Sequence, residues 1–182
     1  MASTRSRSLD AALALVGEEG IRALTHARVD ERAGLPKGST SNWFRTRDAL
    51  VAGVVTWLAE SERADFDNAP RPVIKTPGDL VDALCAVIAV QTGPLSARTR
   101  ARYALFLEGA HSPELLAPLL AQRAVFVAWT TDLLARIGAP APSDAARTVM
   151  AAGDGLVLHR VTVDPDAEIR PVIERAVRAC MD

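Results

Sequence analysis

The residues of this chain best equipped to act on a partner lie between Lys37 and Arg47. Lys37, Ser39, Ser41 and Asn42 bring a cation, two hydroxyls and an amide into one short stretch. Asn42 is the group able to pair in a bidentate way with an adenine edge, a contact worth about 1 to 3 kcal/mol of discrimination. With Thr40, the run Ser39-Thr40-Ser41-Asn42 consists entirely of side-chain hydrogen-bonders of mediocre helix propensity, so stability alone does not account for it. Around the run, Thr25, Arg28, Trp43 and Arg47 offer a hydroxyl, two guanidinium groups and an indole N–H of the kind that grips phosphate. Arg47 also stands at a helix N-terminus, where backbone donors already favour an anion. Other chemistries find no support. His26, His111 and His159 are widely separated and are read as forming no metal site. Cys85 and Cys180 lie far apart without CxxC spacing, and no glycine-rich phosphate loop, HExxH or GxSxG occurs. No catalytic residues, metal or cofactor are expected.

The elements that must position this set can be read from caps and breakers. Thr25 is a good N-cap for a helix that Gly34 ends, Leu35 tucks inward at the turn, and Pro36 can open a second helix over Lys37 to Phe44. Two short helices joined by a glycine-containing turn make a helix-turn-helix, whose second helix enters the major groove with its N-terminal half against base edges. A preceding helix over Arg5 to Glu19, stopped by Gly20, completes a three-helix head; Ile21 and Leu24 anchor the approach to Thr25. A fourth helix from Thr46 to about Phe66 carries Arg47 at its start and Trp57 and Phe66 further on, so it reads as a connecting rod.

Val29, Ala33-Gly34-Leu35, Lys37-Gly38-Ser39, Trp43-Phe44, Arg47 and Ala49-Leu50 together resemble the N-terminal signature of TetR-type transcriptional regulators. The likeness covers residues 8 to 55 or so; beyond that it is architectural. It implies an all-α fold in which Thr25, Arg28, Lys37, Gly38, Ser39, Ser41, Asn42, Trp43 and Arg47 face double-stranded operator DNA. Three positions depart from the family pattern. Asp30 stands where alanine is usual and Thr40 where leucine is usual, and these positions pack against one another. A carboxylate accepting the threonine hydroxyl is therefore expected, since Asp30 left unsatisfied there costs about 1 to 3 kcal/mol. Ser41, where tyrosine is frequent, removes an aromatic phosphate contact.

The composition fits this frame. The chain has 182 residues, 49% hydrophobic and only 4% aromatic, as expected of an alanine- and leucine-rich helical protein with a real core. Net charge is −1, but residues 1 to 50 carry eight Lys/Arg against six Asp/Glu, while the remainder carries thirteen against sixteen. The balance thus has the sign a DNA-binding head requires, and Arg5, Arg7, Arg28, Lys37, Arg45 and Arg47 could share one face. No signal core or membrane-length apolar run is present, so a cytoplasmic protein without membrane contact is expected.

The expected division is a DNA-binding domain over 1–50 and a helical ligand-binding and dimerisation domain over 51–182. The proline-rich Asn68 to Pro77 segment is the clearest linker. Later helices are expected from Thr76-Pro77, over about Ser96 to Glu108, from Ser112-Pro113 to Ile137, from Ser143 to about Val163, and from Asp164-Pro165 through Cys180. Helices 112–138 and 143–163 are apolar on more than one face, which implies cover by the same pair from a second subunit in a four-helix bundle. Trp57, Leu84, Ile88, Gln91, Tyr103, Phe106 and Trp129 are the candidate walls of a pocket for a small apolar or amphipathic ligand. The expectation is a homodimeric regulator, a repressor released from a palindromic operator by that ligand. An all-α enzyme, or a dimeric helical module that binds no DNA, are the competing readings.

Overall fold

A computed structural model of the chain describes residues 3–181. Among these it contains nine α-helices and one turn of 3-10 helix, without strands: α1 (Thr4–Glu19), the 3-10 turn (Ile21–Ala23), α2 (His26–Arg32), α3 (Ser39–Trp43), α4 (Arg47–Asn68), α5 (Pro77–Thr92), α6 (Ser96–Glu108), α7 (Pro113–Arg136), α8 (Pro142–Thr162) and α9 (Arg170–Arg178). The chain forms two compact units. One comprises the residues up to Asn68 together with Ala97–Gln122; the other comprises Ala69–Ser96 and the residues from Arg123 onward. The first break falls at the proline-rich segment, but α6 and the start of α7 belong with the N-terminal unit. The compact units therefore do not coincide with a division at residue 50.

In the first unit, Leu9, Leu13 and Val16 of α1, Leu24, Val29 of α2 and Leu50, Val54 and Leu58 of α4 are buried in one core. Each helix of the head starts or stops on an identifiable group. Ser3 Oγ accepts from Ser6 N for α1, and Thr25 Oγ1 accepts from Arg28 N at 3.3 Å for α2. Thr46 Oγ1 accepts from Ala49 N at 3.1 Å for α4. Gly20, at φ 85°, closes α1. Gly17 lets α1 approach α6 closely, because a methyl group there would overlap the Ala97 carbonyl; Arg100 Nε also donates to Gly17 O at 3.0 Å. Along α4, Trp57 Nε1 donates to Asp10 Oδ1 of α1 at 2.8 Å. Glu62 pairs with Arg102 of α6 at 3.3 Å, and Arg98 pairs with Asp65. Glu62 Oε2 is buried without a hydrogen-bond partner among the described residues.

In the second unit, Leu80, Val81, Leu84 and Ile88 of α5 and Ala146, Val149, Leu156 and Val157 of α8 are buried, as are Ile173 and Val177 of α9. Thr76 and Asp79 form a reciprocal capping box at the start of α5, with Pro77 in its first turn. Arg123 pairs with Asp154 at 2.6 Å, and Arg170 pairs with Asp82.

Three boundaries differ from the sequence expectation. α3 starts at Ser39 rather than Lys37, because Gly38 adopts a left-handed φ of 89° and the residues from Pro36 form a turn. α8 starts at Pro142, and no side chain caps it, so Ser143 lies inside the first turn instead of opening the helix. α9 starts only at Arg170, because Asp164 Oδ1 accepts from Asp166 N in a tight turn and Arg160 donates to the Ala167 carbonyl. These bonds give the backbone a satisfied alternative to helix.

Candidate nucleic-acid interface

α2 and α3 form the expected helix-turn-helix. Gly34, at φ 60°, makes the turn, and Arg7 Nη2 of α1 donates to the Ala33 carbonyl at 2.7 Å, closing the end of α2. α3 spans five residues, too short to hold its own helix. It is held instead by the carboxylate of Asp30. Asp30 Oδ1 accepts from Thr40 Oγ1 at 2.6 Å and from Thr40 N at 2.8 Å, while Oδ2 accepts from Gly38 N at 2.8 Å. Asp30 is only 3% exposed and Thr40 is fully buried. The threonine-to-carboxylate bond expected from the paired departures is present, and two backbone donors join it. Burial works to raise the Asp30 pKa, but the Thr40 hydroxyl, the two amides and the nearby His26 outweigh it. The carboxyl therefore lies below its ordinary range and stays charged.

At the other end of α3, His26 Nε2 lies 2.6 Å from the Phe44 carbonyl oxygen. A carbonyl only accepts, so Nε2 carries the proton. Phe44 itself is 7% exposed, and its ring packs where Gly53 of α4 has no side chain.

The candidate DNA-facing residues sort by what they already bond. Ser41, Asn42 and Lys37 are exposed, and Trp43 is 56% exposed, a large apolar surface for a ring beside buried Phe44. Ser39 Oγ donates to Pro36 O at 2.7 Å and Ser41 Oγ donates to Gly38 O at 3.0 Å. Both hydroxyl protons are thus committed to the turn, which leaves their lone pairs to accept. Gly38 supplies the left-handed turn and donates its N–H to Asp30. Thr25 caps α2, Arg28 pairs with Glu19 at 2.5 Å, and Arg47 pairs with Glu108 of α6 at 3.1 Å. Arg7 is engaged on the Ala33 carbonyl, and Arg5 lies over the Phe44 ring at 5.9 Å. His26, Asp10 and Glu108 had not been singled out as functional. The four-residue spacing of His26 and Asp30 was the available signal.

The candidate ligand walls do not all fall in one unit. Trp57, Tyr103 and Phe106 belong to the first unit, each partly buried; Leu84, Ile88, Gln91 and Trp129 belong to the second. Leu84 and Ile88 are core residues of α5. Trp129 stacks near Phe126, with ring centroids 5.3 Å apart, and borders a groove of about 260 Å³ with Arg71, Pro72, Asp132, Leu133 and Arg136. Arg102 lies over the Phe106 ring at 5.7 Å. Among the described residues no single helix is long and apolar enough to cross a membrane.

Comparison with known proteins agrees with this geometry. Residues 75–182 match the family model described as "Tetracyclin repressor-like, C-terminal domain". No curated protein is significantly similar in sequence. Among solved structures, a TetR-family member from Streptomyces coelicolor A3 is 27% identical, covering 98% of this chain and 99% of that one at a TM-score of 0.75. A transcriptional regulator from Rhodococcus sp. Rha1, 22% identical, covers 98% and 94% at a TM-score of 0.74 and shares the fold. The multidrug binding protein EbrR, complexed with ethidium, is 27% identical over 98% of this chain and 99% of its own, at a TM-score of 0.71. The matched C-terminal region is more than half of the chain and the N-terminal head carries the expected motif, so the chain belongs to the TetR family of transcriptional regulators, which are not enzymes.

Proposed function

We propose that this protein is a homodimeric, cytoplasmic repressor that reads a palindromic DNA operator with α3 and leaves it when a small apolar or amphipathic ligand binds. The observation that carries the reading is the outward face of α3. Ser41, Asn42 and Trp43 stand exposed on a five-residue helix whose other side is fixed by buried Thr40 and Asp30. Spare acceptors, one amide and an exposed indole have no role in packing there. Lys37, Ser39, Ser41 and Asn42 are the base-edge set; Thr25, Arg28, Trp43 and Arg47 hold phosphates, and Gly38 shapes the approach.

The ligand reading draws support from EbrR, captured with ethidium and with proflavin. The dimer reading draws support from α7 and α8. Ala124, Ala128 and Ala135 of α7 and Ala151, Gly155 and Leu158 of α8 are exposed at helical spacing. Such small and apolar outward faces suit close packing against the same helices of a second copy. The domain over 51–182 would supply this interface together with the ligand site.

The test is a footprint on the promoter next to the protein's own gene, followed by titration of the protected duplex over a range of salt. Tight, strongly salt-dependent binding in a two-fold pattern is expected. Asn42→Ala should then flatten base preference at one position per half-site, by about 1 to 3 kcal/mol. Failure of the wild type to prefer any duplex would overturn the reading.

A further inference from the structure

His26 and Asp30 are four residues apart on α2 and so project from one face, one turn above the other. α3 has five residues, about 7.5 Å of helix axis, so two side chains one turn apart can reach its two ends. They do so in a definite sense. The Asp30 carboxylate accepts the first amides of α3, from Gly38 N and Thr40 N, while His26 donates to the terminal carbonyl of Phe44. An anion meets the positive end of the helix dipole, and a donor meets the negative end. Five residues leave room for a single i to i+4 bond inside α3, and the backbone bonds at its flanks are Asn42 N to Gly38 O at 3.1 Å and Phe44 N to Thr40 O at 2.9 Å.

We propose that His26 and Asp30 act as a two-ended clamp, positioning residues that set the tilt and register in which α3 meets the bases. Neither need touch a base. This inference rests on the DNA-reading function proposed above. An α3 held at one end only can still bury Thr40 and Phe44, yet it swings its exposed side chains relative to the groove. Base readout requires hydrogen-bond geometry and suffers from such a swing; phosphate contacts made by α2 and α4 do not. The clamp therefore bears on specificity more than on general affinity for duplex.

The test uses the full-length protein with an operator selected by the wild type from a random duplex pool. His26→Ala, His26→Gln and Thr40→Val are titrated against the operator and a scrambled duplex, while amide exchange is followed at Asn42 and Phe44 and at core Leu50. His26→Ala is expected to lower the operator-to-scrambled ratio about tenfold, the scale of one lost directed hydrogen bond. Scrambled-duplex affinity should fall far less than operator affinity, through the Trp43 contact alone, and its salt slope should stay unchanged because that contact is neutral; Asn42 and Phe44 should exchange faster, and Leu50 should stay protected. His26→Gln, which keeps a donor, should recover most of the ratio. Thr40→Val, which removes the hydroxyl bond to Asp30 and the longer contact with Ser8 Oγ at 3.4 Å but keeps both amide bonds to the carboxylate, should show a smaller loss of the same kind. Equal weakening on both duplexes, or an unchanged ratio with exchange confined to α3, would overturn the clamp. So would a His26→Ala chain that fails to fold while His26→Gln folds without recovering the ratio. A wild type that selects no operator sinks the DNA-reading function itself, an outcome distinct from all of these.

Discussion

Two carboxylates of the first unit, buried Asp30 and partly buried Glu62, respond to protons in opposite senses. Asp30 titrates below its ordinary range in the folded chain, so the unfolded chain binds more protons wherever the two states differ. Its contribution is complete above the unfolded value of about 3.9 and is lost as pH falls through the lower folded value. The stability gap between wild type and Asp30→Asn, followed by denaturant melts, should thus be constant from neutral pH down to about 4 and close below it. Glu62 behaves the other way. Burial raises its pKa, only partly offset by Arg102 and Arg98, so the folded chain holds the proton more tightly and stability declines as pH rises past about 4.3. Glu62→Gln should therefore gain on the wild type as pH rises toward neutral, and parallel pH profiles for the two would refute the assignment. The Asp30–Thr40 bond was legible in the sequence because both partners depart from an apolar pattern at positions known to touch. Glu62 was not, because nothing local marks a solvated carboxylate from one packed under a neighbouring helix.

Two of the three boundary differences, at α3 and α9, share one cause; at α8 a proline in the first turn starts the helix one residue before the expected Ser143 cap. Propensity and cap signals place helix ends well where the cap is the residue itself, as at Thr25, Thr46 and Thr76. They fail where a glycine turn or a bond from elsewhere takes the backbone out of helix, as at Gly38 and Ala167. The contact between α4 and α6 was likewise invisible, since Arg47 and Glu108 lie far apart in sequence. It has a measurable consequence. If Arg47 holds phosphate, it must exchange the Glu108 carboxylate for the DNA backbone. Arg47→Ala should then weaken all duplexes alike and reduce the salt slope by about 0.9 for each subunit bound. Glu108→Gln should strengthen all duplexes alike, because the guanidinium no longer has to leave a carboxylate. A Glu108→Gln protein with changed base preference but unchanged overall affinity would argue that the pair serves another purpose.

For the molecule as a whole, the all-helical architecture and the head were readable from periodicity and motif. The candidate ligand set was readable only as a composition, because aromatic and aliphatic residues carry no mark that separates wall from core. The two glycines of α8 show the same limit. A side chain at Gly153 would make ordinary contact with Ile88 of α5, whereas at Gly155 it would meet open space. If this face of α8 pairs with a second copy as proposed, Gly155→Leu should leave the chain folded and disrupt that pairing, seen as monomer or nonspecific aggregate in sedimentation. Gly153→Leu should press on the subunit's own core and lower Tm instead. An undisturbed dimer with Gly155→Leu would move the interface off this face of α8.

The Asp30–Thr40 pair also constrains how such a head can change over generations. Replacing Asp30 by alanine alone strands the Thr40 hydroxyl and amide; replacing Thr40 by leucine alone crowds a carboxylate that has lost one of its donors. Either intermediate costs on the order of 1 to 3 kcal/mol, a large share of a small domain's margin. Each single-residue step between the apolar and polar versions of this contact thus costs stability that the paired substitution does not. Heads carrying the polar version should be inherited, and should be grafted onto other ligand domains, only as intact blocks.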